Sequence, residues 1–221
     1  MARTGRGRTA PGGQARTRLA RAAVIDAAAA LFLERGYAAT TVEAISARSD
    51  VPQATVYRLF SSKHGILKAV VDVSIAGDDR PVSLPERPQV RNALADPDAR
   101  RQVAAFVAVA TEVNTRSAPM YRILVGAASA DDEAAALLED LNRQRRAGQG
   151  QLARSLARAG ALRPGLRERD AVDVLYALMS PDVYRLLVHD RKWPPKRYQQ
   201  WLGQTLVENL LDPATFGDVE R

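Results

Sequence analysis

Between Gln53 and Arg58 the chain sets an amide, a phenol and a guanidinium at helical spacing. Gln53 and Tyr57, and Ala54 and Arg58, are i, i+4 neighbours in the stretch TTVEAISARSDVPQATVYRLF, residues Thr40 to Phe60. One helical face then offers hydrogen-bonding groups beside a small residue. Pro52, Val56, Leu59 and Phe60 form the opposite, apolar face. No comparable set exists for catalysis. The two histidines, His64 and His189, lie far apart in the chain and cysteine is absent. Metal-ligand spacing such as HExxH is missing, and no glycine-rich loop follows a strand. The acid run Asp131-Asp132-Glu133 fits a helix N-terminus, where the dipole favours negative charge. Neither an enzyme nor a metal or other cofactor is expected.

A polar face of this kind needs a helix that starts abruptly and stands out from its neighbour. Thr40 with Glu43 reads as a capping box, predicting a helix from Thr41 with Val42, Ile45 and Ser46 inward. Asp50 suits a tight turn with positive φ. Pro52 suits the first position of a second helix, with Val51 stapling its entrance. Two short helices joined this way form a helix-turn-helix, whose second helix enters the DNA major groove. The same pattern also fits a plain helical hairpin in a bundle. Charge favours the first reading. The net charge is +7, and residues 1–70 hold eleven Arg or Lys against four Asp or Glu, while the remaining chain balances at 21 of each. An excess confined to one small segment is the footprint of a polyanion binder. A basic tail contributes to it: residues 1–15, rich in Gly, Arg and Thr, are expected to be a disordered arm.

The rest of the 221 residues reads as all-α, because apolar residues recur at three and four and strand signals are nearly absent. A first helix is predicted over Arg18–Arg35, with Leu19, Ala22, Ile25, Ala28 and Phe32 along its stripe. Gly36 is placed to end it in the left-handed conformation. Ser61-Ser62 caps a helix over Lys63–Ala76. Residues 77–97, punctuated by Pro81, Pro85, Pro88 and Pro97, read as a linker with one helical turn near Val90–Leu94. Further helices are expected at Asp98–Arg116, Pro119–Ala128, Asp131–Ala159, Glu168–His189 (kinked at Pro181) and Pro195–Leu211. The domain plan is thus an arm, residues 1–15; a DNA-binding domain, 16–76; a linker, 77–97; and a helical domain, 98–221. No apolar run is long enough to span a bilayer and nothing implies export, so the expected location is cytoplasmic, without a membrane partner.

From Arg18 to Val71 the sequence resembles the TetR/AcrR family of bacterial transcriptional regulators. The matching residues are Leu31-Phe32 with Gly36-Tyr37, Thr40-Thr41-Val42, Ile45-Ser46, Val51-Pro52 with Thr55-Val56-Tyr57 and Phe60, and Ser62-Lys63 with Ile66-Leu67. Asp50 stands where the family usually has a turn glycine, Pro52 where a small residue is common, and Leu59 where histidine is frequent. The resemblance implies a three-helix helix-turn-helix domain followed by a helical ligand-binding and dimerisation domain. It also implies a sequence-specific regulator of double-stranded operator DNA, a homodimeric repressor released by a small-molecule effector. Gln53 and Arg58 would touch base edges, since an amide suits adenine and a guanidinium suits guanine. Ala54 would allow close approach. Thr41, Thr55, Tyr57 and Lys63 would contact phosphates. Arg16, Arg18 and Arg21 are candidates for the backbone or minor groove.

In the second domain an apolar effector would meet Phe106, Val109, Met120, Tyr121, Leu124, Tyr176 and Met179, with Val113, Leu138 and Leu141 as further lining. Two amphipathic C-terminal helices supply the expected dimer contacts, Leu186, Leu187, Tyr198, Trp201, Leu202 and Leu206. A non-specific helical protein that coats DNA, of the nucleoid type, is the rival reading, because phosphate neutralisation alone gives both the same salt sensitivity.

Overall fold

The computed structural model describes residues 11–78 and 84–216, and the expected arm lies outside them as far as residue 10. Two compact units divide the chain, residues 1–70 and 71–221. Among the described residues all regular structure is helical, apart from a lone antiparallel bridge between Leu162 and Leu211.

The first unit contains α1 (Pro11–Ala39), α2 (Val42–Ser49), α3 (Gln53–Phe60) and the start of α4 (Lys63–Ala76). α1 begins seven residues before the predicted start, so residues 11–15 are helix rather than arm. Its burial starts at Val24 and includes Ile25, Ala28, Leu31 and Phe32. Leu19 and Ala22, expected on the inward stripe, are exposed, Leu19 at 72%. Gly36 breaks the helix with φ 81 and ψ 167. Its φ is positive as expected, but its ψ is extended, so it is a kink rather than a left-handed cap.

α2 begins one residue later than the capping box predicts. Thr40 is fully buried, with its hydroxyl 2.8 Å from the Gly36 carbonyl and 3.3 Å from that of Leu31. Turned inward onto the end of α1, it cannot cap. Thr41 takes that role: its backbone is extended, and its hydroxyl accepts from the Ala44 N–H at 3.1 Å.

The second unit receives α4 from Val71 onward, then a 3₁₀ turn (Leu84–Glu86) and α5 (Pro88–Ala95). Much of the predicted linker is therefore structured. Val90 and Ala93 bury one face of α5, which packs on α6 (Ala99–Ala128). Arg87 donates to both carboxylate oxygens of Asp78, at 3.1 and 2.8 Å, and that pairing raises its guanidinium pKa.

α6 is one helix, where two were predicted around Pro119. Proline removes the N–H that would bond the Thr115 carbonyl, a loss of about 3 kcal/mol in an isolated helix. Here Ser117, Ala118 and Met120 flank it and are buried, so packing carries the helix through. α7 (Asp132–Arg158) is capped by Asp131, whose carboxylate accepts from the Ala134 N–H at 2.9 Å.

The predicted helix over Glu168–His189 divides into α8 (Glu168–Leu178), α9 (Pro181–Tyr184) and a π-helical segment (Arg185–Asp190). Pro181 opens α9, and the Ser180 hydroxyl caps it by accepting from the Val183 N–H at 3.2 Å. Asn114, buried on α6, donates to the Met179 carbonyl at this break, at 3.3 Å. α10 (Pro195–Leu210) closes the unit against α6 and α8.

Val103, Val107, Leu152, Leu156, Leu175, Tyr184, Tyr198, Leu202 and Leu206 form the centre of this core. Tyr198, Leu202 and Leu206 show 0% exposure, which corrects their assignment to a dimer interface: they spend their surface inside their own chain. The Tyr198 hydroxyl lies near Asn114 without a hydrogen bond of normal geometry, and burial pushes its pKa up.

Leu202→Ala should therefore destabilise the chain by about 2–5 kcal/mol, the range for a buried leucine truncated to a cavity. Tyr198→Phe removes only an unpaired buried hydroxyl and should leave stability unchanged or raised by up to about 1 kcal/mol. Urea unfolding followed by circular dichroism checks both.

Candidate nucleic-acid interface

An isolated eight-residue helix is unstable in water, so α3 exists because its apolar face is held. Val56 and Phe60 are buried, Leu59 is half-buried, and α3 packs on α1 and α2. Asp50 makes the turn from α2 with φ 53, in the left-handed region. The Ser46 hydroxyl donates to the Val51 carbonyl at 2.7 Å and closes that turn. Pro52 sits just outside α3, one place earlier than predicted, so its missing N–H costs the helix nothing.

The opposite face is free. Gln53, Ala54, Tyr57 and Arg58 are all exposed, Tyr57 at 47%. No side-chain hydrogen bond or ion pair holds Gln53 or Arg58 among the described residues. Thr55 is half-buried, and Thr41 is exposed at the N-terminus of α2. Six of the seven expected DNA-contacting residues thus lie on α3 or at the adjacent helix start. Amide, phenol and guanidinium can all meet a polyanion or a base edge there.

Lys63 is the seventh, and its ammonium turns toward the protein. It donates to the carbonyls of Tyr37 at 3.0 Å and Thr40 at 3.1 Å, and lies 4.2 Å from the centre of the Tyr37 ring. The ammonium expected to meet a phosphate is engaged internally in this structure. Arg21 behaves similarly, with its guanidinium 4.8 Å over the Phe60 ring, while Arg16 and Arg18 remain exposed. Arg48 spans from α2 to α1 through Glu34 at 2.7 Å. Such exposed pairs are worth at most about 1 kcal/mol.

The corner into α4 is tight. Ser61 adopts φ 64 and donates its N–H to the Tyr57 carbonyl at 2.8 Å. The Ser62 hydroxyl caps α4 through the Gly65 N–H at 3.1 Å. A Cβ on Gly65 would stand 2.0 Å from the Phe60 carbonyl oxygen, so only glycine fits there. The i, i+4 pattern of α3 gave no hint of Gly65, Thr40 or the Lys63 contacts.

The expected effector-lining residues are scattered through the second unit. Met120, Leu124 and Met179 are buried; Phe106, Val109, Val113, Tyr121, Leu138, Leu141 and Tyr176 are half-buried. The Tyr121 hydroxyl donates to the Asn142 side-chain oxygen at 3.3 Å, and burial raises its pKa. Arg145 stacks 3.9 Å over the Tyr176 ring. An open groove of about 260 Å³ lies elsewhere, lined by Leu94, Gln151, Arg154, Ser155 and Arg158. Of the expected dimer residues, Leu186 is 48% exposed, and Leu187 and Trp201 are half-buried.

A short recognition helix with an exposed polar face, joined to α2 through the tight turn at Asp50, defines a helix-turn-helix DNA-binding protein. Residues 24–70 match the sequence model of the family described as "Bacterial regulatory proteins, tetR family". Over those residues the chain is similar to TetR-family transcriptional regulators. It is 28% identical over 172 residues to the "Uncharacterized HTH-type transcriptional regulator YdeS" of Bacillus subtilis, covering 75% of this chain and 77% of that one. It is 47% identical over 51 residues to the "HTH-type transcriptional repressor Rv3405c" of Mycobacterium tuberculosis, which is 23% of this chain and 27% of that protein. Among solved structures, a SmeT–triclosan complex aligns with a TM-score of 0.70 at 21% identity, covering 91% of this chain and 97% of that one. NalD, described as the secondary repressor of the MexAB-OprM multidrug efflux pump in Pseudomonas aeruginosa, aligns with a TM-score of 0.69 at 22% identity, covering 89% of this chain and 98% of that one. At these identities the structures speak for the fold alone. No described helix is long and apolar enough to cross a membrane.

Gly65→Ala should destabilise the first unit by about 1–3 kcal/mol, because the new methyl must push the α3–α4 corner apart. Hydrogen exchange on α3 amides, compared with the original chain, measures it.

Proposed function

We propose that this regulator is a cytoplasmic homodimeric repressor that holds a near-palindromic operator and leaves it when a small apolar molecule binds within residues 98–221. The observation that supports it best is the division of α3: Val56 and Phe60 are buried while Gln53, Tyr57 and Arg58 stand in solvent. Gln53 and Arg58 then read base edges, Ala54 lets the helix approach closely, and Thr41, Thr55 and Tyr57 set the register on phosphates.

Repression is favoured by the likeness to SmeT, NalD and Rv3405c, each described as a repressor. The apolar effector is favoured by the triclosan complex of SmeT. Phe106, Val109, Met120, Tyr121, Leu124, Tyr176 and Met179 are the proposed lining, in a conformation that the ligand itself selects. Leu186, Leu187 and Trp201, with apolar area left uncovered, are the proposed dimer contacts. Two copies would place two α3 helices about 34–36 Å apart, one turn of DNA. The ligand acts by favouring a dimer in which that spacing is wrong, and its effect is bounded by its differential affinity for the two states.

Selection of bound duplexes from a random pool tests specificity, symmetry and spacing together. A pair of inverted half-sites about 10 base pairs apart is expected; a diffuse footprint with no enriched sequence would favour the DNA-coating alternative. Sedimentation at micromolar concentration should give a dimer, and a monomer would refute the spacing. Arg58→Ala should weaken binding to the enriched duplex by about 1–3 kcal/mol and barely affect scrambled DNA. Equal loss on both would reduce Arg58 to a phosphate contact.

A further inference from the structure

We infer that Lys63 is a positioning residue: its ammonium clamps the α3–α4 corner to the C-terminal end of α1 and so sets the angle at which α3 meets DNA. The inference rests on the proposed DNA-reading role and concerns how the reading face is aimed.

Three contacts converge on one group. The Tyr37 and Thr40 carbonyls each accept from the Lys63 ammonium, at 3.0 and 3.1 Å, and the Tyr37 ring centre lies 4.2 Å away. Both carbonyls lie at or just past the end of α1, where partial negative charge favours a cation; that of Tyr37 also accepts the Thr40 N–H at 3.3 Å. The ring face adds a cation–π attraction. Tyr37 is itself anchored: it is buried, and its ring packs 5.6 Å from that of Phe32 in the core of α1. Thr40 is held by its own hydroxyl against the Gly36 carbonyl. The clamp therefore joins α4 to the rigid part of α1.

Lys63 is well placed to transmit this constraint. It is the first residue of α4, and the step from Phe60 to Gly65 is stiff: Ser61 has φ 64, and Gly65 tolerates no Cβ beside the Phe60 carbonyl. Anchoring Lys63 thus anchors the C-terminal end of α3. Arg58 lies two residues before that end, so a change in the corner angle displaces its guanidinium first. A hydrated phosphate contact would need the same ammonium to point outward, away from both carbonyls. The half-buried lysine has its donors committed inward instead.

The test uses the full chain, the duplex it enriches from a random pool and a scrambled duplex of equal length, with binding measured from low to high salt. Lys63→Met and, separately, Tyr37→Leu should each lower affinity for the enriched duplex by about tenfold or more, the scale of one lost base contact. Affinity for the scrambled duplex and its salt slope should stay as in the original chain. Tyr37→Leu removes no charge, so a shared phenotype points to the clamp. The idea is overturned if Lys63→Met weakens both duplexes alike and flattens the salt slope by about 0.9, one phosphate's share, with Tyr37→Leu binding normally. Should the original chain enrich no sequence, the DNA-reading role fails instead. The clamp is then judged by urea unfolding of the two single variants and the double, where additive losses would reject it.

Discussion

Burial of Val56 and Phe60 is the constraint on which the first unit depends. α3 is too short to persist by propensity, and its two buried side chains, each worth about 1.5–3 kcal/mol, supply what the backbone cannot. Because both lie on one face, holding them inward forces Gln53, Tyr57 and Arg58 outward. The same burial that makes the helix stable makes it a reader. Everything around it limits rotation about that anchor: Asp50 turns the chain in, Ser61 and Gly65 turn it out, and Lys63 and Arg21 hold its far end.

The second unit works on a different balance. Its helices are long and their core is continuous, so local faults are absorbed. Pro119 costs α6 a hydrogen bond, yet Ala118 and Met120 stay buried and the helix persists. The break between α8 and α9 frees the Met179 carbonyl, and Asn114 is buried where it can answer it. Tyr184 takes a partner in Thr115 at 2.8 Å, whereas its neighbour Tyr198, 4.9 Å away ring to ring, has none.

Much of the fold was legible in one dimension. The turn at Asp50, the start of α4 at Lys63, the acid-rich start of α7 and an interruption at Pro181 all follow from local chemistry that needs no distant partner. The polar face of α3 follows from periodicity alone. Three residues or groups sit elsewhere in this structure than local pattern alone suggested, for one shared reason. Thr40 was read as a cap, Lys63 as a phosphate contact, and Tyr198, Leu202 and Leu206 as dimer contacts. Each is a side chain with two reasonable partners, one near in sequence or external, the other far along the chain. Thr40 chose Gly36, Lys63 chose Tyr37, and the α10 stripe chose α6 and α8.

Periodicity tells which residues of a helix must avoid water, because hydration is settled residue by residue. It determined here that the chain is helical and which face of α3 is polar. It does not tell what covers the apolar face or where a flexible cation ends up, since a second copy, a ligand and the chain's own core all exclude water equally well. Those choices were decided only when the helices packed and one neighbour reached each surface first.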